Sequence, residues 1–212
     1  MPPMKDASVA AEWMALFLLQ VRDPIPGASM QFSTLIIFIS EQLSSMEGGP
    51  NLAQDRLALP ILTESDHGSI RCQTGSAVIT GPNSYDKLLT NYVIHAVGPN
   101  YWDFINEEED GGDSDSARIQ EAHKLLASAY KSSLTLAARY DIRSLGFSLL
   151  SAGVYRGNLP LETVLRIGVT AVQEWAQEAP EHFAPLDITM CAFTANECSV
   201  LQGICDELFD KR

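Results

Sequence analysis

The chain has 212 residues, with 14 basic against 27 acidic side chains and a formal charge of −13 at pH 7. That length suits one α/β domain with some elaboration, able to bury a core without disulfides or a structural metal. The acidic surface repels phosphate backbones and anionic membranes, so neither nucleic acid nor a membrane is an expected partner, whereas backbone N–H groups can still hold a small anion.

Residues 10–21 (AAEWMALFLLQV) open the chain with an apolar run that Glu12 interrupts. No basic n-region or cleavage site frames it, and it is well short of the roughly 20 residues that a membrane span needs. It reads as a helix or helix-to-strand segment docked on the domain. Residues 1–30 are therefore taken as an N-terminal extension carrying the first elements, and 31–212 as a single module. Four cysteines, Cys72, Cys191, Cys198 and Cys205, form no C-x-x-C pair. That argues against a zinc knuckle or a thioredoxin-like motif and predicts free thiols. Cys198 and Cys205, seven apart in a predicted helix, are expected on one buried face. The expectation is a soluble protein of a reducing compartment, cytoplasmic or nuclear.

Four short apolar runs have the length of strands buried on both faces: 35–39 (LIIFI), 92–97 (YVIHAV), 145–150 (LGFSLL) and 188–193 (ITMCAF). Between and after them, apolar residues recur at a helical period over 116–140, 161–175 and 197–209. Strands alternating with helices predict a three-layer α/β/α fold with a mixed, mainly parallel central sheet. Residues 102–116 (WDFINEEEDGGDSDS) read as an acidic, solvated loop. Asp110, Asp113 and Asp115 within it miss the spacing of a calcium loop, and no metal site is expected.

Open parallel sheets bind ligands at the carboxyl ends of their strands. Two such ends carry small-residue loops. The first runs from Ser40 to Gly48-Gly49-Pro50-Asn51 and leads into a helix through Leu57. The second is Ser151-Ala152-Gly153-Val154-Tyr155-Arg156-Gly157, with a helix starting near Pro160, a favoured first-turn residue. Glycine in such a turn serves backbone geometry in most proteins. It also lets main-chain N–H groups approach an anion, and two facing loops of this kind would cradle a diphosphate.

Thr74-Gly75-Ser76-Ala77-Val78-Ile79-Thr80, then Ile94-His95-Ala96-Val97-Gly98-Pro99, then Ser151-Ala152-Gly153-Val154-Tyr155 follow one another in this order. The series resembles the TG-x-A-x-x-T, IH-x-VGP and SAGIF-like motifs of the macrodomain family, from about Gly48 onward. The resemblance implies ADP-ribose as the ligand, with no further cofactor, and ADP-ribose or an ADP-ribosylated protein as the partner. It places the diphosphate on Gly48, Gly49 and the main chain of Ser151, Ala152, Gly153, Val154 and Tyr155. Tyr155 would lie against the distal ribose, Phe193 would stack on adenine, and Asp23 would read the adenine edge. His95, mid-strand among apolar neighbours, reads as a core histidine.

The chain departs from that family pattern at the first loop. Phe38-Ile39-Ser40-Glu41 stands where the N-x-A-N signature belongs, the glycine run is cut to two, and Pro50 deletes one N–H. Asn51 stands where hydrolytic members carry an acid, and an amide cannot serve as a general base at neutral pH. Glu41 is a carboxylate nearby, although beside a diphosphate it would repel the ligand. The first expectation is binding without assigned catalysis. An ADP-ribosyl hydrolase, with a water trapped between the loops, is the alternative. A degenerate macrodomain scaffold for protein interaction is the third reading.

Overall fold

The computed structural model describes residues 34–38, 49–65, 68–85, 90–105, 113–179 and 186–209. Asp23, Gly48, the apolar run at 10–21, Glu41 and the extension at 1–30 lie outside the described residues.

Five strands form the main sheet: β1 (Thr34–Phe38), β4 (Ala77–Thr80), β5 (Tyr92–Ala96), β6 (Ser144–Ser148) and β7 (Asp187–Cys191), in the order β4-β5-β1-β6-β7. β1 pairs in parallel with β5 and with β6, and β6 pairs in parallel with β7. Only β4, against β5, is antiparallel among the five. A two-stranded hairpin, β2 (Thr63–Ser65) with β3 (Gly68–Ile70), stands apart. The helices are α1 (Gly49–Ala58), α2 (Asp113–Arg139), α3 (Leu161–Glu178) and α4 (Ala195–Phe209). The fold is the expected three-layer α/β/α arrangement with a mixed, mainly parallel sheet.

Strand alternation decides which helix covers which face. Ile94, Ala96 and Phe147 point to one side, where they join Ala122, Leu126 and Tyr130 of α2 and Val164 and Val172 of α3 in the main core. Gly168 of α3 lies against the Tyr130 ring, and α4 adds Leu201 and Ile204 onto Leu165 and Val169. Val93 and His95 point to the opposite side, where Leu52 and Arg56 of α1 are buried.

Several local boundaries differ from the sequence expectation. The acidic stretch 102–116 is not one loop. Trp102–Phe104 lie in a 3-10 turn (Tyr101–Phe104), and α2 already begins at Asp113. Polar residues in a first helical turn leave no apolar periodicity to read. α4 begins two residues earlier than expected through a capping box. The Thr194 hydroxyl accepts from the Glu197 N–H at 3.1 Å, and the Glu197 carboxylate accepts from the Thr194 N–H at 2.7 Å. Cys198 and Cys205 do not share a buried face: Cys198 is exposed and Cys205 half-buried. The first turn of α4 overhangs the core, and packing starts from Val200 onward.

Candidate functional site

β1 lies at the centre of the sheet, and the chain continues to β5 on one side of it and to β6 on the other. Such a reversal of strand order opens a crevice at the carboxyl ends, where ligands bind in α/β folds. Thr34 pairs with Leu145 and with Tyr92, so the carboxyl ends of β1, β5 and β6 lie side by side. Gly49 opens α1, the helix that follows β1, and Pro50 falls within its first turn, where proline is tolerated. Residues 149–157 follow β6, and Phe193 follows β7.

The loop after β6 is held by three side-chain hydrogen bonds from elsewhere in the chain. The buried Tyr130 hydroxyl accepts from the Leu150 N–H at 3.0 Å. The buried Ser151 hydroxyl donates to the Pro99 carbonyl at 2.7 Å. The Trp102 indole N–H donates to the Val154 carbonyl at 2.9 Å. Ser151 takes φ 54°, a left-handed conformation that costs a non-glycine residue energy and that its bond to Pro99 stabilises. Gly98 completes this contact, since a Cβ there would stand 2.5 Å from the Ser151 hydroxyl oxygen.

Within the loop, Arg156 N–H donates to the Gly153 carbonyl at 3.1 Å and Ala152 N–H to the Leu149 carbonyl at 3.4 Å. The N–H groups of Gly153 and Val154 donate to no group among the described residues. Both residues are exposed. Gly153 has φ −88°, and a Cβ built there meets nothing within 4 Å. Neither a left-handed backbone nor a packing contact explains a glycine at this position. Adjacent backbone amides without internal partners can bind an anion. Ala152 is buried, and Tyr155 is half-buried in the 3-10 turn Val154–Arg156.

Phe193 stands at the same edge of the sheet with 42% of its surface exposed. Its N–H donates to the Glu197 carboxylate at 2.7 Å, so the α4 cap also fixes its backbone. Cys191, two residues earlier, has its thiol pushed up to about 11 by burial and stays protonated at neutral pH.

Asn51 sits in the first turn of α1, exposed, and its Nδ2 donates to the Ser84 carbonyl at 2.9 Å. This ties α1 to the turn before β5. Asp55, one helical turn on, accepts from the Tyr85 hydroxyl at 2.8 Å and from Asn83 at 3.2 Å. Burial and Asp55 raise the Tyr85 phenol to about 12. Beneath α1, the buried His95 shares a 2.9 Å hydrogen bond with Thr80 through Nε2, while Nδ1 has no partner among the described residues. Burial, then the Arg56 charge, depress its pKa to about 3, so the imidazole is neutral. His95 is a core residue, as its sequence context suggested, and it lies below the crevice floor rather than in it.

Sequence reasoning singled out the two loops but missed Trp102 and Gly168. A signal for Trp102 existed, since a tryptophan inside an acidic stretch has no amphipathic pattern to serve.

The family described as Macro domain matches residues 48–168. A Macro domain-containing protein of Caldanaerobacter subterraneus is 37% identical over 130 residues, 61% of this chain. The chain spans 60% of that relative's length. The human "ADP-ribose glycohydrolase MACROD2" is 32% identical over 76% of this chain and 33% of its own length. Among solved structures, the Oceanobacillus iheyensis macrodomain with ADP superposes with a TM-score of 0.65, at 19% identity, over 86% of this chain and 87% of that one.

Proposed function

Because this chain belongs to the Macro domain family, we propose that it binds ADP-ribose, free or attached to a protein, at the carboxyl edge of its sheet. The observation that carries this reading is Gly153, exposed, without a contact a Cβ would disturb, and flanked by N–H groups at 153 and 154 that donate to no described residue. Diphosphate oxygens on Gly153 and Val154, ribose on Tyr155 and adenine on Phe193 use the edge from β6 to β7. Gly48, Gly49 and Asn51 would contribute from the β1 side, and Asp23 at the adenine. A chain of net charge −13 can take a dianionic ligand here because main-chain dipoles supply the positive end.

The name of the human relative favours a second reading, hydrolysis of ADP-ribose from protein. Asn51 argues against it, since the amide donates to Ser84 and offers no base.

Calorimetry with ADP-ribose tests the proposal. The expected dissociation constant is low-to-mid micromolar, roughly −7 to −8 kcal/mol. Gly153→Glu should weaken binding by on the order of a hundredfold, about 2.7 kcal/mol, with an unchanged melting temperature. Wild-type protein that gives no heat with ADP-ribose rules the reading out, and full affinity in Gly153→Glu moves the phosphates to another loop.

A further inference from the structure

We infer that Trp102 is a positioning residue for the phosphate-binding loop, an assignment that rests on the ADP-ribose reading above. Two of the three bonds that hold the loop, those of Tyr130 and Ser151, are buried and act on its inner end at Leu150 and Ser151. At the outer end, where the Gly153 and Val154 N–H groups donate to no described residue, the Trp102 indole ties the Val154 carbonyl. That tie is exposed: Trp102 keeps 43% of its surface and Val154 57%. The trans peptide plane fixes what it does. The carbonyl of Val154 and the N–H of Tyr155 share one plane and point in opposite directions, so drawing the carbonyl toward Trp102 turns the Tyr155 N–H away from it. The tie's hold on the Val154 N–H is indirect: that N–H shares its plane with the Gly153 carbonyl, which the Arg156 N–H holds at 3.1 Å, and the Trp102 tie anchors the next plane of the same turn. Asn100 caps the turn that carries Trp102, its side chain accepting from the Trp102 N–H at 3.3 Å, and Gly157, at the end of the second turn, lies against Tyr101 of the first, where a Cβ would stand 3.3 Å from Tyr101 Cβ.

A residue with this role acts on the diphosphate and not on the adenine. Trp102→Phe keeps an aromatic ring and removes only the donor. The expected result is a loss of about three- to tenfold in ADP-ribose affinity, the size of one net hydrogen bond. Adenosine affinity and melting temperature should stay at wild-type values, which a general packing defect would not allow. Trp102→His, a ring that retains an N–H, should recover part of the ADP-ribose to adenosine ratio. Equal ADP-ribose affinity in wild type and Trp102→Phe overturns the assignment and leaves the ADP-ribose reading intact, whereas wild type that fails to bind overturns both. If Trp102→Phe does not fold, wild-type protein still decides. The Trp102 indole N–H resonance should shift with ADP-ribose and hold still with adenosine, and an unmoved resonance at saturating ADP-ribose sinks the proposal.

Discussion

Gly168 of α3 and Tyr130 of α2 are in direct contact, and a Cβ at 168 would lie 2.7 Å from the Tyr130 Cζ. Tyr130 cannot easily give way, being buried, packed against the tilted Phe147 ring at 5.3 Å and bonded to the Leu150 N–H. The glycine therefore reaches the loop after β6 through one intervening side chain.

Gly168→Ala sets two effects against each other. Alanine in a helix interior gains about 1 kcal/mol over glycine. Overpacking against a ring that cannot move costs about 1–3 kcal/mol. The clash should prevail and lower the melting temperature by a few degrees. Tyr130→Phe keeps the ring carbons that the new methyl would meet at 2.7 and 2.8 Å, but it removes the hydroxyl at 2.9 Å and the bond that anchors the ring, and it orphans the buried Leu150 N–H, at about 1–3 kcal/mol. The double variant should then lose less than the sum of the single losses. Strict additivity in thermal denaturation would show that the two residues do not act through each other.

Phe193→Ala should leave stability within about 0.5 kcal/mol, because the ring is 42% exposed and the Glu197 carboxylate holds the backbone N–H, which the substitution keeps. Affinity should fall for AMP and ADP-ribose alike, by about 1–3 kcal/mol if the ring stacks on the base. Competition assays that find both ligands unaffected place the adenine elsewhere.

Asn51→Asp is the converse test of catalysis. Wild-type hydrolysis of mono-ADP-ribosylated protein is expected to be slow or absent, since a general base contributes about 10²–10⁴ in rate. A carboxylate at 51 can no longer donate to the Ser84 carbonyl and would be repelled from it, which frees the side chain from that tie. Turnover should rise in the variant, with a stability loss of about 0.5–1.5 kcal/mol for the missing bond. Rapid turnover by wild type in the same assay would assign the chemistry to another group.

His95 gives the acid side of the stability curve a definite sign. Its pKa is about 3 in the folded chain, below the ordinary 6.5 of an unfolded one. Between those values the unfolded chain binds the extra proton, so stability rises with pH. The contribution is complete above about pH 6.5 and declines as pH falls toward 3, by about 1.4 kcal/mol per unit within that window. Urea midpoints from pH 7 to 5 should fall more steeply in wild type than in His95→Gln. Parallel curves would mean that imidazole protonation is not coupled to unfolding.

Much of this molecule is determined by spacing along the chain. Short apolar runs and 3.6-residue periods located β1, β5, β6 and β7 and the bodies of α2, α3 and α4, because apolar spacing alone decides which face a segment can bury. The Gly153 loop was legible for the same reason, as small residues directly after a buried strand. The ends were less so: β6 stops at Ser148 and not at Leu150, because Tyr130 takes the Leu150 N–H.

What supports the site was decided by tertiary structure. Trp102 meets Val154 across 52 residues, Tyr130 meets Leu150 across 20, and Asn51 turns to Ser84 across 33. Thr80 and His95, in two motifs that suggested a family by their order alone, prove to be hydrogen-bonded partners beneath α1. Such bonds have no local signature, since each depends on where packing carries a distant strand or helix. The sequence by itself determined β1, β5, β6, β7 and the bodies of the helices and marked the loop after β6, whereas β2, β3 and β4 were too short to show a pattern. Only the packed sheet decided which way the amides of that loop are held.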